Sequence, residues 1–313
     1  MSNTPGGADD ESAFAQLMDR VSGPPLRTAV IHPCDPLSLG AAIEARERGL
    51  LDPVLVGPEE KIRRTGEELG ASLDGFDISP APHSHAAAEL GVELVRKGAA
   101  RALMKGKLHT NEVMAAAVDR RKGLRTERRM SHVFVLETPA YPKWLLVSDG
   151  AINIQPDLTC KKSIVQNAID LARAIGTDAP AVAILSATEE VDPNIASTID
   201  AAALCKMADR EQITGGRVDG PLAFDLAVSA DSVRVKGLKS DVAGHADVLI
   251  VPNLEAGNMV AKQLDYLAGA SAAGIVLGAR APIILTSRAD SVVERLASCA
   301  LARHLVTWQE REA

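Results

Sequence analysis

The chain has 313 residues, and a length like this suits about two domains of ordinary size. Hydrophobic residues make up 46% but aromatics only 3%, so the cores must be built from Ala, Val, Leu and Ile. The net charge of −7 argues against a nucleic-acid backbone as the main partner, although a local pocket on an acidic protein can still hold a small anion.

The chain opens on "MSNTPGGADDESAFAQLMDR", which is acidic and polar and does not read as a secretory signal. Residues 1–25, ending in "SGPP", read as a flexible N-terminal extension. From Arg27 a rhythm begins in which a short apolar run is followed by a turn and then an Ala- and Leu-rich helical stretch. "RTAVIHP" leads into "PLSLGAAIEARERG", "DPVLVG" into "PEEKIRRTGEELG", and "RALMKG" into "HTNEVMAAAV". The middle differs. "SHVFVLETP" and "KWLLVSDG" are strand-like runs with no room for a helix between them, which predicts a hairpin or meander at a domain junction. The rhythm resumes with "PAVAILSA" into "NIASTIDAAALCKMA", "ADVLIVP" into "EAGNMVAKQLDYLAG", and "APIILTS" into "DSVVERLASCALARHL". Strands alternating with helices of this length predict α/β units on mostly parallel sheets, and near-continuous apolar strands suit sheets covered on both faces. No apolar run approaches the roughly 20 residues that a membrane helix needs. Cys34, Cys160, Cys205 and Cys299 form no C-x-x-C pair, so they read as free thiols in a reducing cytoplasm, with no metal site.

In open α/β sheets ligands bind beyond the C-terminal ends of the strands. Five turns there are richer in polar residues than connectors require: "HPCD", "KGKLHT", "SDGAIN", "PNLEAGN" and "TSRADS". In "KGKLHTNE", Lys105 and Lys107 can face an anion at the positive end of the next helix, beside His109, while Thr110 with Asn111 suffices as a helix cap. "RRKGLRTERR" carries six basic residues; a solvated face is the usual reading, and a phosphate site with Arg125 as its aimed member is the alternative. In "PNLEAGN", Pro252 stops the strand and Gly257 permits close approach. Capping needs only one of Asn253 and Glu255, so the group Asn253, Glu255 and Asn258 favours a ligand. Ser287 and Arg288 supply a hydroxyl and a guanidinium suited to an oxyanion or a phosphoryl group, whereas Ser291 and Glu294 form the S-x-x-E of a capping box. "GGRVDGPLAFDLAVS" reads as a Gly-rich turn into a helix and matches neither G-x-G-x-x-G nor a Walker A loop. "HSH" at 83–85 opens a helix with no third ligand nearby.

Several of these stretches together resemble the phosphate acetyltransferase and phosphate butyryltransferase family: "DGPLAFD", "VAGHADVLIVPNLEAGNM", "AKQL", "PIILTSRADS", "LMKGKLHT", "GLRTERRMSHVF", "INIQPDL" and "ALCKMADR". The similarity is strongest to the acyltransferase half of bifunctional enoyl-CoA hydratase/phosphate acetyltransferases, and no residues remain here for a hydratase domain. The resemblance implies the reaction acyl-CoA + phosphate = acyl phosphate + CoA, by direct attack of the CoA thiolate in the reverse direction. It implies no bound cofactor, coenzyme A as co-substrate, and a homodimer. It also implies two α/β/α domains like those of isocitrate and isopropylmalate dehydrogenases, with the active cleft between them. The first would comprise residues 26–148 and 279–313, and the second, the dimerisation domain, residues 149–278. Ser287 and Arg288 match the family's Ser-Arg pair at the transferred group and thiol. The family's proposed base, an Asp seven positions after that Ser, is Glu294 here, and Asp290 is the other carboxylate at hand. The Arg that acetyltransferases carry after the "HT" helix start is missing, and Arg125 is its substitute. Asp265 and Tyr266 stand where the acetyl branch tends to have Arg on the helix after "NLEAGN", which leaves the acyl length open. Two rivals stand beside this reading: a metal- and NAD(P)-dependent dehydrogenase on the same fold, and a non-catalytic CoA-binding regulatory module.

Overall fold

A computed structural model of the protein describes residues 13–286 and 290–312. It divides into two compact units, Met1–Arg125 with Arg280–Glu310, and Thr126–Ala279 with Arg311–Ala313.

The first unit is built on β1 (Leu26–Ile31), β2 (Leu51–Gly57), β3 (Asp77–Pro80), β4 (Ala102–Lys105) and the short β11 (Ile283–Ile284), in the order β3-β2-β1-β4-β11 with every pairing parallel. The chain steps outward from β1 through α2 (Pro36–Glu47) to β2, and through α3 (Glu59–Glu68) to β3. It then returns through α4 (Ser84–Arg96) to the other side of β1. Right-handed crossovers therefore put α2 and α3 on one face of the sheet and α4 on the other. In agreement, α2 packs on α3, and α4 packs on α5 (Thr110–Ala117). The reversal of direction between β1 and β4 opens a crevice at their C-terminal ends.

Residues 13–25 are not the loose extension expected from the sequence. They carry a helix, α1 (Ala13–Asp19), whose Phe14 and Leu17 are fully buried. The long C-terminal helix α11 (Val292–Glu312) holds this segment in place: His304 Nε2 lies 2.8 Å from Leu17 O, and Arg303 donates to Ser22 O at 2.9 Å. The apolar spacing of Phe14 and Leu17, i and i+3, was the overlooked signal.

The second unit orders its strands β10-β5-β6-β9-β7-β8. These are β5 (Ser131–Glu137), β6 (Leu145–Ser148), β7 (Ala181–Leu185), β8 (Arg217–Leu222), β9 (Val248–Ile250) and β10 (Ser271–Leu277). Only β5 runs against the others. The expected hairpin is the antiparallel pair β5–β6. Both strands belong to this unit, because β5 also pairs with β10 and β6 with β9, so the division falls at Arg125 rather than at residue 148. "RVDGPL", read as a turn, is strand β8. It is the last strand in the order, and an edge position tolerates Pro221, which cannot donate to a ladder. α6 (Leu158–Ala174), α7 (Ala196–Asp209), α8 (Phe224–Val228), α9 (Ala230–Lys236) and α10 (Leu254–Ala268) complete the unit. Among the described residues no helix is long and apolar enough to cross a membrane.

His132 is the unusual core residue of this unit. Its ring lies over Gly274 of β10, where a Cβ would sit 2.6 Å from the imidazole, and 4.3 Å centroid to centroid from Phe134. It is 3% exposed, and its Nδ1 has no hydrogen-bond partner among the described residues. Burial pushes its pKa down from 6.5 to about 4, against the opposing pull of the Asp149 carboxylate.

Two predictions follow from this packing. Phe14→Ala should cost about 3–5 kcal/mol of stability in a denaturant titration if α1 is part of the core; a loss under about 1 kcal/mol would mean that α1 contributes nothing. For His132, the unfolded chain takes up a proton near pH 6.5 that the fold refuses until about pH 4. Its stability contribution is therefore complete above pH 6.5 and is lost as the pH falls toward 4. The native state should lose about 2 kcal/mol from this group on going to pH 5, and His132→Asn should flatten that slope whatever it does to stability at neutral pH.

Candidate active site

The polar turns singled out in the sequence gather into two clusters, one in each unit. In the first unit the turn after β4 is sewn to the end of β1. Gly106 N donates to Ile31 O at 2.9 Å, Lys107 N donates to His32 O at 2.9 Å, and the His32 imidazole Nδ1 lies 2.8 Å from Lys107 O. A Cβ at Gly106 would lie 2.5 Å from Ile31 O, so only glycine permits this approach. His32 itself takes a left-handed φ of 55°. Asp35 then caps α2, its carboxylate accepting from Ser38 N at 2.7 Å. The result is a small cavity in the β1–β4 crevice, lined by Asp35, Ser38, Lys105, Lys107, Thr286 and Arg295 among others.

Lys105 ends β4 half-buried, with its Nζ 3.3 Å from Gly106 O, and Lys107 is exposed. His109, not Thr110, occupies the N-cap position of α5, and Thr110 is its first helical residue. The cap is served from below, by the Glu112 carboxylate accepting from His109 N at 2.8 Å. This ties Glu112 down, along with its bonds from Ser84 and His85, and draws its carboxyl below the usual range; the Ser84 bond is the largest cause. His109, Thr110 and the exposed Arg125 are absent from the described lining of the cavity. The basic run divides at the unit boundary. Arg125 closes the first unit, whereas Arg128 pairs with Asp170 in the second.

Ser287 and Arg288 lie outside the described residues. Their neighbours do not. Ser291 N donates to Glu294 Oε2 at 2.6 Å and Glu294 N donates to Ser291 Oγ at 3.3 Å, which is the reciprocal capping box read from S-x-x-E. Asp290, half-buried, accepts at its main-chain oxygen from Arg295 Nη2 at 2.6 Å.

In the second unit, the turns after β6 and β9 form one body. Asp149 is 2% exposed, and its carboxylate accepts from the main-chain N–H groups of His132, Ala151, Ile152 and Asn153 and from Asn153 Nδ2, at 2.6–3.2 Å. Against this loop lies the start of α10. Leu254 N donates to Ile154 O at 3.2 Å, and Asn258 Nδ2 lies 3.5 Å from Gly150 O. Gly257 packs so tightly that a Cβ would sit 2.6 Å from Asp149 O. Asn253 is the cap of α10, accepting from Ala256 N at 2.9 Å, while Glu255 and Asn258 are exposed. The three polar groups thus have separate duties: one caps, one braces the neighbouring loop, and Glu255 projects into solvent from the first turn. Between β7, β9, α8 and α10 runs an apolar groove of about 510 Å³, lined by Leu185, Phe224, Val251, Val260 and Leu264 with Gln263.

Sequence reasoning missed Arg295 and Asp149. Arg295 follows Glu294 at the start of a helical stretch, and nothing local marks it as buried. Asp149 stood in a turn already noted as polar, and Asp-Gly is ordinary turn chemistry. Among the described residues no three His, Cys, Asp or Glu side chains are grouped to hold a metal ion.

Known proteins resemble this chain along most of its length. The family profile described as phosphate acetyl/butaryl transferase matches residues 83–303. A phosphate acetyltransferase of Rhizobium meliloti is 59% identical over 89% of this chain and 88% of its own. A phosphate butyryltransferase of Clostridium acetobutylicum is 39% identical over 93% of this chain and 97% of its own. Among solved structures, a branched-chain phosphotransacylase from Enterococcus faecalis superposes with a TM-score of 0.77 at 28% identity, covering 90% of this chain and 99% of that one. The α/β architecture, the motifs at the strand ends and these similarities converge: the chain belongs to the phosphate acetyl/butyryl transferase family.

Proposed function

We propose that the protein is a phosphate acyltransferase that moves a short acyl group between coenzyme A and inorganic phosphate. The observation that carries this reading is the family match across residues 83–303, joined by 59% identity to a phosphate acetyltransferase. The rival dehydrogenase and regulatory-module readings have no comparable support.

The chemistry sets the demands. A thiol with a pKa about 8.5 is mostly protonated at neutral pH, so formation of the acyl-CoA needs a base or a cationic surrounding to generate the thiolate. The thiolate attacks the carbonyl carbon of the acyl phosphate, the tetrahedral oxyanion collapses, and the C–O bond to phosphate breaks; in the other direction a phosphate oxygen attacks the thioester and the thiolate leaves. Donors must hold the oxyanion, and a cation must hold the phosphate. In our reading Ser287 and Arg288 meet the transferred group. Glu294 or Asp290 takes the thiol proton. Lys105, Lys107, His109, Thr110, Arg125, Asn253, Glu255 and Asn258 contact coenzyme A or phosphate, with no bound cofactor. The exposed Met259, Tyr266 and Leu267 on α10 and the apolar groove beside that helix support a homodimer formed through the second unit. The four free cysteines suit a cytoplasmic setting.

The deciding assay is phosphate-dependent release of free thiol from acyl-CoA, run from acetyl to hexanoyl. Thiol release should persist in chelator; complete loss restored by Mg²⁺ would favour the dehydrogenase-like rival. Glu294→Gln keeps the capping box, because Gln serves there almost as well as Glu. If Glu294 is the base, the rate should fall roughly 10²- to 10⁴-fold at neutral pH, and the loss should shrink at high pH. An unchanged rate in Glu294→Gln together with a collapse in Asp290→Asn moves the role to Asp290. Asn253→Asp retains the cap of α10 but adds negative charge, so apparent affinity for phosphate or coenzyme A should drop while melting stays put. Lost stability with binding untouched would reduce Asn253 to a cap.

A further inference from the structure

Asp149 has no part in the chemistry described so far, yet it is one of the most buried charged residues in the protein, at 2% exposure. Its carboxylate takes five hydrogen bonds, from the main-chain amides of His132, Ala151, Ile152 and Asn153 and from Asn153 Nδ2. An Asp in a turn needs only the amide two residues on. The surplus follows a pattern. The β5–β6 ladder ends at the pair Val133–Ser148. One residue further, side chains make the next rung: Ser148 Oγ donates to His132 O at 2.9 Å, and the Asp149 carboxylate accepts from His132 N at 3.2 Å. The main chain then leaves the sheet with the amides of residues 151–153 turned onto that carboxylate. Successive amides turned inward form an anion nest, and this one holds the protein's own anion instead of a ligand.

The turn in its place carries α10. Leu254 N donates to Ile154 O at 3.2 Å. A Cβ at Gly257 would lie 2.6 Å from Asp149 O and 3.0 Å from Gly150 Cα. On the strand side, a Cβ at Gly150 would lie 2.8 Å from Phe134 Cε2. The Phe134 ring stands 4.3 Å from that of His132, which is backed in turn by Gly274. From β10 through β5 and the turn to α10 the contacts leave no slack, so a displaced turn displaces the first turn of α10.

Resting on the acyltransferase reading, we propose that Asp149 is a positioning residue, whose carboxylate sets the first turn of α10 where Asn253 and Asn258 meet substrate. It touches no substrate itself. Groups that bind must be held within about 0.5 Å of the productive geometry, and a misplacement of about 1 Å costs up to roughly 10²-fold. Asp149→Asn keeps the shape of the side chain. Both carboxylate oxygens accept from N–H groups, so either orientation of the new amide turns an NH₂ against donors.

The test is steady-state kinetics of thiol release by the full chain, read as KM, which does not depend on the amount of folded protein. In Asp149→Asn the KM for one substrate, acyl-CoA or phosphate, should rise at least about tenfold. Asn258→Ala should raise the same KM. The double variant should fall short of the product of the two shifts, because both act through one element. Phe14→Ala, which loosens a distant part of the core, should keep both KM values within about twofold of wild type. Wild-type KM values in Asp149→Asn, with only a lower melting temperature, would make Asp149 purely structural. Wild-type values in Asn258→Ala, fully multiplicative shifts in the double variant, or an equal shift in Phe14→Ala would overturn the proposal as well. Should Asp149→Asn fail to fold, Gly257→Ala must reproduce the KM shift by pushing α10 off the turn, and wild-type values there refute the proposal. A wild type that releases no thiol with phosphate would defeat the acyltransferase reading instead. Amide hydrogen exchange then judges the positioning alone: in Asp149→Asn or Gly257→Ala, residues 254–258 should lose protection ahead of the rest of α10, and unchanged protection would refute it.

Discussion

Gly106 has no room for a side chain. The main chain after β4 passes so near the end of β1 that even a methyl group would collide with the carbonyls of Ile31 and His32. The two hydrogen bonds that Gly106 and Lys107 donate to those carbonyls convert two strand ends into one rigid lip. The rest of the first unit's site is arranged from that lip. Lys105 is held at the mouth of the crevice, Lys107 is turned outward, and α2 starts where Asp35 can cap it. A slip of one residue in the β1–β4 register would send Lys105 to the other face of the sheet.

The second unit solves the same problem by the opposite means. Its polar turns are organised by a buried carboxylate rather than by a missing side chain. Asp149 gathers the amides of three successive residues, the amide of His132 and the side chain of Asn153. Hydrogen bonds to an ionised acceptor are stronger than neutral ones, and a carboxylate that accepts this many has little reason to leave its place. The start of α10 is built against that loop, with Gly257 providing the close approach. The orientation of Glu255 and Asn258 is therefore inherited from a residue in the turn after β6.

Capping and ligand binding draw on the same side chains, which is why the strand ends were hard to apportion. Ser, Asp, Asn and Glu near a helix start satisfy main-chain donors whether or not a ligand is present. Asn253, Asp35 and the Ser291–Glu294 pair all turn out to make such caps. A cap does not exclude chemistry, since each of these groups stands at the positive end of a helix facing the ends of parallel strands.

The sequence by itself determined the α/β class, the strand ends on which polar groups collect, the hairpin in the middle and the S-x-x-E box. These rest on local patterns: alternation of apolar runs with helical stretches, and cap residues at fixed spacing. Tertiary structure alone decided that "SAAGIVL" is a strand. Its small residues look like a loop until β5 pairs with it and the His132 ring fills the space above Gly274. It decided too that Phe14 and Leu17 are core, in a segment that α11, nearly three hundred residues away along the chain, ties down through His304 at the Leu17 carbonyl. And it decided that Arg295 and Asp149 are buried. Burial of a charge is set by what packs around it from distant segments, and no spacing within "VERL" or "SDGA" carries that information.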